Sequence, residues 1–280
     1  MTLTIRPAAP SDLPAADNIL MAAFQPSQSR LRALAQILSL QPDGILIAEQ
    51  DGAPAGLVSA VDYGPFAYIG MMAVRPDMHR RGIARSLMER LLDWLDARSC
   101  PMALLDASES GAPLYAQLGF VEDEQTNLYL NDDCAPRTGL PGRVAPLRPD
   151  DLPSLVALDA RLFGTERTAL LELLLRAHPG RGFLARGDDG QPVGYLVAQE
   201  QLIGPWVAAD PAAAASLLAA ALTLDYNGSP YVQISSLNAD GAQLLLRHGF
   251  SPRNRLRHMR RGGIPRDRSR VYGQTSFSLG

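Results

Sequence analysis

Lysine is absent from this chain of 280 residues, so all 26 of its basic residues are arginine. This absence excludes a lysine Schiff base and a lysine general base. Cysteine is scarce too, because Cys100 and Cys134 are too few for a disulfide framework and fit a reducing cytoplasm. Neither the cysteines nor His79 and His248 have the spacing of metal ligands, so we predict no metal site.

Long apolar runs are also missing. No stretch reaches the length of a membrane span, and the first residues lack the basic and then apolar pattern of a signal segment. The net charge of −3 argues against a nucleic-acid-binding protein as a whole. The hydrophobic content of 46% is ordinary for a globular protein, and the length suits two domains. We expect a cytoplasmic protein with neither a membrane nor a nucleic-acid partner, and its oligomeric state stays open.

The stretch from Ile69 to Leu87 carries the strongest functional signal. An apolar, strand-like run ends at Val74, a basic loop with one glycine follows, and a helix begins whose leucines recur at helical spacing. Such an order presents backbone N–H groups and a positive helix end to a phosphate, and Gly82 allows close approach. Arg80 and Arg81 can add charge-assisted hydrogen bonds. Taken alone, the pattern also fits a solvated helix start with surface arginines.

The order of residues in this stretch resembles the acyl-CoA loop of the Gcn5-related N-acetyltransferase (GNAT) superfamily. That loop reads Gln/Arg-x-x-Gly-x-Gly/Ala after a strand that ends in Leu-x-Val. Here the strand ends in Met72-Ala73-Val74 and the loop reads His79-Arg80-Arg81-Gly82-Ile83-Ala84. The resemblance implies that both segments bind acetyl-CoA: the amides from Arg81 to Ala84 hold the pyrophosphate, and the strand backbone holds the pantetheine and polarises the thioester carbonyl.

A second segment, Leu114 to Phe120, also resembles the superfamily. In that family a tyrosine four residues before Gly-Phe projects towards the thioester sulfur, and here this residue is Tyr115. The resemblance implies that Tyr115 is the general acid for the departing thiolate. An ordinary amphipathic tyrosine at a helix end is the alternative. Ser108 stands where many relatives have asparagine at the acetyl-CoA site, and the resemblance covers roughly residues 2 to 130.

The general base is the least specified part of the site. An alkyl amine is mostly protonated at neutral pH, so a group must take a proton from it. The strand from Phe66 to Val74 has no acidic residue, although some relatives keep a glutamate there. Asp62, Asp106 and Glu109 come near the cleft in the predicted fold, and each is explained as well by a loop or strand-end position. We assign the role to none of them.

The second half of the chain repeats the first. Asp51–Val58 returns as Asp189–Leu196, Ile69–Val74 as Ile203–Ala208, and Leu114–Phe120 as Leu244–Phe250. The common order of these matches predicts a second copy of the fold. We therefore expect an α/β protein of two tandem GNAT-like folds, at residues 1–132 and 145–280 with a linker at 133–144. Each fold should have a mixed, mostly antiparallel central sheet flanked by helices.

The two copies differ at the phosphate loop. The second copy is four residues shorter there and reads Ala209-Asp210-Pro211-Ala212, without glycine or arginine, and Leu245 aligns with Tyr115. We expect a degenerate copy that has lost catalysis and shapes the acceptor site. Trp206 and Tyr195 fit either the lining of an acceptor pocket or the apolar core.

The functional interpretation is an N-acetyltransferase that moves an acetyl group from acetyl-CoA to an amine of a small-molecule acceptor. A non-catalytic acyl-CoA-binding or sensing module is the main alternative. A protein or RNA modifier is a third, because arginines crowd the segment from Pro252 to Arg270. A solvated strand explains those arginines better, since no aromatic residues alternate with them.

Overall fold

The computed structural model describes residues 2–26, 28–133 and 138–280, and Cys134 lies outside them. The first half contains β1 (Leu3–Pro7), α1 (Leu13–Phe24), α2 (Leu31–Leu40), β2 (Ile45–Gln50), β3 (Ala53–Asp62), β4 (Ala67–Val74), α3 (Ile83–Ala97), β5 (Met102–Ala107), α4 (Ala112–Gln117) and β6 (Val121–Leu130). The second half contains β7 (Val144–Pro146), α5 (Leu152–Phe163), α6 (Thr168–Ala177), β8 (Gly182–Arg186), β9 (Pro192–Ala198), β10 (Ile203–Ala208), α7 (Pro211–Ala221), β11 (Tyr231–Ser235), α8 (Ala239–Arg247), β12 (Ser251–Gly262) and β13 (Val271–Gly273). The order of elements in the second half repeats that of the first as far as β12.

The strands form two sheets. An eight-stranded sheet has the order β1-β2-β3-β4-β5-β12-β6-β11, and a five-stranded sheet has the order β13-β10-β9-β8-β7. Within the larger sheet the β4–β5 pair is parallel and the other pairs are antiparallel, as the predicted mixed sheet requires. The predicted linker ends earlier than expected, because Val144 pairs with Ala185 and begins β7.

Strand β12 joins the two halves. It comes from the second half of the chain but lies between β5 and β6 of the first half, where His258 is opposite Asp106 on one side and Glu124 on the other. Strand β11 then extends the sheet beyond β6. The arginine-rich segment therefore begins as a central strand of the sheet, on which Arg253 and Arg255 are exposed as a solvated strand requires.

The two faces of the eight-stranded sheet pack against different partners. On one face, called the junction face here, Phe66 and Tyr68 share an apolar core with α1, α2 and residues of the second half such as Leu158 and Phe163. On the opposite face, Ile69 shares a core with the leucines of α3, whose spacing of three and four residues gives that helix one apolar side. Within the described residues, no helix is long and apolar enough to cross a membrane.

Candidate active site

Strands β4 and β5 separate part of the way along their length. Their parallel pairing comprises Ala67, Tyr68 and Ile69 of β4, whereas β4 runs on to Val74. Met71 has a left-handed φ of 51°, and the register against β3 slips next to it, which marks a bulge that bends β4. The result is a gap that opens between the second halves of the two strands.

At the end of β4, one backbone N–H group points into this gap. The N–H of Arg75 donates to the carbonyl of Ala55 on β3 over 2.9 Å. Because successive N–H groups of a strand point to opposite sides, the N–H of Val74 points away from β3 and towards the gap. Of the predicted strand-end residues, Ala73 and Val74 are buried and Met72 is half-buried.

The loop between β4 and α3 has the backbone of an anion site. Arg80 and Gly82 have left-handed φ values of 62° and 79°, and α3 begins directly after Gly82. Alternating conformations of this kind turn successive N–H groups to one side, where the helix dipole adds positive potential. A Cβ on Gly82 would meet no atom within 4 Å, so the space next to it is open.

Side chains fix the loop to the strand. The Nε2 of His79 lies 2.9 Å from the carbonyl oxygen of Val74, so the histidine ties the start of the loop to the end of β4. Arg80 and Arg81 are exposed, while Ile83 is buried in the core beneath α3 and Ala84 is half-buried. The start of the loop is thus fixed to β4, and the loop presents backbone amides and two arginines to solvent.

Tyr115 lies in α4, within the same apolar cluster as Val74 and Ile83. Its ring packs at 6.0 Å from that of Phe120. Burial raises the pKa of the phenol to about 12, which keeps it protonated at neutral pH. Among the described residues the hydroxyl group has no hydrogen-bond partner. Its proton is therefore available to a ligand.

Ser108 lies where β5 passes into α4. Its hydroxyl oxygen accepts a hydrogen bond from the N–H of Gly111 over 3.2 Å and lies 3.1 Å from the hydroxyl of Ser110. A Cβ on Gly111 would lie 3.2 Å from the ring of Tyr115 and 3.3 Å from the Ser108 oxygen. The structure thus brings the predicted Ser108 and Tyr115 together at the start of α4.

The three candidate carboxylates form hydrogen bonds or ion pairs within the protein. Asp62 accepts a hydrogen bond from the N–H of Gly64 in the β3–β4 turn. Glu109 is exposed and pairs with Arg257 over 2.6 Å. The side chain of Asp106 is fully buried, and burial would raise its pKa, but hydrogen bonds from His258 and Thr126 together with nearby positive charge hold it at about 2. Asp106 and Glu109 are therefore engaged by other side chains, and Asp62 lies opposite Ala67 at the start of β4, away from the opening.

The equivalent gap of the second half is filled by its own chain. Strand β13 pairs with β10 through Trp206 and Gly273, and the N–H of Ala208 donates to the carbonyl of Arg270. At the equivalent helix start, the carboxylate of Asp210 accepts a hydrogen bond from the N–H of Ala213 over 2.8 Å. One amide of the helix start and the strand edge of this copy are therefore already occupied.

The remaining predicted residues belong to packing. Trp206 and Tyr195 are both completely buried, so they are core residues and not a pocket lining. Most arginines of β12 are ion-paired, as in the pair between Arg260 and Asp123 at 2.8 Å. In the described part of the chain, no group of three or more His, Cys, Asp or Glu residues could hold a metal ion.

Comparison with known proteins gives matches in both halves. The Acetyltransferase (GNAT) family model matches residues 13–120, and the Acetyltransferase (GNAT) domain model matches residues 155–273. An uncharacterized N-acetyltransferase of Bacillus subtilis (strain 168), YitH, is 26% identical over 193 residues, which cover 67% of each chain.

Solved structures give the same result. The crystal structure of a proposed acetyltransferase from Pyrococcus horikoshii is 27% identical, covers 99% of this chain and 96% of its own, and superposes with a TM-score of 0.87. A tandem GNAT protein from the clavulanic acid biosynthesis pathway is 17% identical with a TM-score of 0.65, covering 95% of this chain and all of its own, and so shares the fold. The chain belongs to the GNAT acetyltransferase family and is a tandem member, with one GNAT fold in each half.

Proposed function

We propose that the first half binds acetyl-CoA in the gap between β4 and β5 and transfers its acetyl group to an amine of a small-molecule acceptor. The observation that carries the proposal is the convergence of three features on one opening. These features are the free edge of β4 at Val74, the glycine loop at Gly82, and the partner-free hydroxyl of Tyr115.

Each feature matches one requirement of the reaction. The amides from Arg81 to Ala84, with Arg80 and Arg81, would hold the pyrophosphate, and His79 would keep the loop in place. The backbone of Met72, Ala73 and Val74 would bind the pantetheine and donate to the thioester carbonyl, with Ser108 at the far side of the gap. These groups supply binding and electrostatic stabilisation of the developing oxyanion.

Tyr115 would protonate the departing thiolate. In water a phenol is a weak acid towards a thiolate, whose ordinary pKa is about 8.5. The apolar surroundings that raise the pKa of Tyr115 would also raise that of a thiolate forming beside it, so the difference between the two pKa values stays near its value in water. The degenerate second half would complete the acceptor site, because the first half's sheet faces it across the junction.

The experiment compares Tyr115→Phe with Tyr129→Phe. Both tyrosines are 8% exposed, so the second variant controls for the loss of a buried hydroxyl. We expect Tyr115→Phe to lower acetyl-CoA turnover with amines by about 10² to 10⁴-fold while the Kd for acetyl-CoA, measured by calorimetry, stays within a few-fold. Equal turnover in both variants would remove the role of Tyr115. Binding without turnover in the wild-type protein would favour a sensing module.

A further inference from the structure

A buried polar cluster lies on the junction face next to the gap. At its centre is Asp106, the first residue of β5 beyond the last pair with β4. Its two carboxylate oxygens accept hydrogen bonds from the hydroxyl groups of Tyr68 and Thr126, both at 2.6 Å, and from the amide of Gln274 at 3.2 Å. His258 of β12 completes the set, with its Nδ1 at 3.0 Å from the carboxylate.

These contacts fix the tautomer of His258. The low pKa of Asp106 makes it an anion that can only accept hydrogen bonds, so the Nδ1 of His258 must carry the proton between them. The other ring nitrogen, Nε2, then has a free lone pair. No hydrogen-bond partner for Nε2 exists within the described residues, and the side chain is 3% exposed.

The surroundings keep His258 neutral at pH 7. Burial lowers its pKa, and the positive charge of Arg268 lowers it further, while Asp106 and Glu124 oppose the shift. Tyr68, which packs against the imidazole with ring centres 6.1 Å apart, is a phenol whose own pKa is raised by burial. The imidazole is therefore ready to accept a proton.

The other ionisable groups of this cluster are already committed. Glu124 accepts hydrogen bonds from Arg268 and from the hydroxyl of Ser235. Arg268 cannot accept a proton, and Asp106 is saturated with donors. Among the ionisable groups in the described part of the cluster, His258 is thus the one that combines neutrality with a free lone pair.

The acid and this histidine lie on opposite sides of the sheet. Tyr115 packs with α3 on one face, whereas Tyr68, Asp106 and His258 lie on the junction face. In acyl transfer the amine attacks the thioester carbon and the thiolate leaves from the resulting tetrahedral intermediate. A proton acceptor on one face of the sheet and a proton donor on the other can serve these two events without competing for one proton.

We propose that His258, held by Asp106, is the general base of the first half's active site, so that the second half supplies a residue to the reaction. The inference rests on the proposed function. The ammonium form of the acceptor gives one proton to Nε2, directly or through one water, and the free amine forms the C–N bond. As the C–S bond breaks, the thiolate takes the proton of Tyr115, the nitrogen's second proton restores Tyr115 through solvent, and His258 releases its proton to solvent.

The test uses two classes of acceptor. Ethylamine, ethanolamine and putrescine are ammonium ions at neutral pH and need a base, whereas hydroxylamine is mainly unprotonated and does not. The variant His258→Asn keeps a donor towards Asp106 at the place of Nδ1 and removes Nε2. We expect it to lower the rate with the best alkyl amine by about 10² to 10⁴-fold and the rate with hydroxylamine less than about 3-fold.

Controls separate this effect from a loss of structure. His248→Asn changes a half-buried histidine of the second half whose Nδ1 bonds the Leu244 carbonyl, and it should affect neither amine. If His258→Asn does not fold, Asp106→Asn replaces it, because an asparagine donor would turn the proton of His258 onto Nε2 and give the same selective loss. The rising limb of the wild-type kcat/KM profile, below pH 6.5, should be missing in His258→Asn.

Three results would overturn the proposal. If His258→Asn lowers the acetylation rate equally with alkyl amines and hydroxylamine, or with neither, His258 is structural. The proposed acetyltransferase function would still stand. A wild-type protein that binds acetyl-CoA but acetylates none of the probes would overturn the proposed function, and the assignment of His258 with it.

Discussion

The N–H of Ala208 donates to the carbonyl of Arg270 over 3.1 Å. Ala208 is the counterpart of Val74 in the sequence repeat. In the first half the N–H of Val74 points into the gap, whereas in the second half the equivalent N–H is already bonded within the chain. Strand β13 continues the cover, pairing Trp206 with Gly273. We therefore expect the second half to exclude acetyl-CoA, through its own backbone as well as its altered loop.

One acetyl-CoA should bind per chain. Calorimetric titration with acetyl-CoA should give a single site, because the first half alone has an open strand edge and a glycine loop. Gly82→Glu should abolish that binding by placing an anion in the phosphate position, and Gly82→Ala should weaken it less, since a left-handed φ of 79° costs alanine about 1 kcal/mol. Asp93→Asn, an exposed change on α3, is the control. Two sites per chain would contradict the closure of the second half.

Local signals in the sequence predicted much of the fold. The apolar run that ends at Val74 is predicted as a strand and is β4, and the glycine that opens α3 lies where the loop pattern places it. Each of these features depends on neighbouring residues in the chain, so periodicity and turn chemistry are enough to find it.

The position of β12 could not be predicted in this way. Its alternating pattern indicates a strand but does not name the strands beside it, and its partners Asp106 and Glu124 are more than 130 residues away. His258 belongs to no recognisable sequence motif, because its proximity to Asp106 depends on the insertion of β12 into the sheet of the first half.

The shared sheet should make the protein unfold in a single step. Each half has one tryptophan, Trp94 on α3 and Trp206 on β10, so Trp94→Phe and Trp206→Phe leave one reporter in either half. In urea, the fluorescence of the remaining tryptophan and the far-UV circular dichroism of the same variant should give coincident midpoints. The reason is that removing β12 from between β5 and β6 breaks the first half's sheet when the second half unfolds. Separate midpoints would indicate that the halves are independent units.

Asp106 should make stability depend on pH in the acid range. Its pKa is about 2 in the folded protein and 3.8 in an unperturbed side chain, so the folded state favours the anion. Asp106 therefore contributes fully to the free energy of unfolding above the pKa of the unfolded state, and this contribution is lost as the pH falls towards 2. Its size is about 2 kcal/mol, from the difference between the two pKa values.

The measurement is the free energy of unfolding of the wild-type protein and Asp106→Asn between pH 2 and 7. The difference between them should shrink by roughly 2 kcal/mol as the pH falls from about 5 to 2, because the protonated aspartic acid and asparagine are both neutral. Asp93→Asn, on an exposed helix surface, should show no comparable change. A difference that stays constant over this range would mean that Asp106 is protonated in the native state. A protonated Asp106 would no longer fix the proton of His258 on Nδ1. The selective loss of rate with alkyl amines in His258→Asn would then not be expected either.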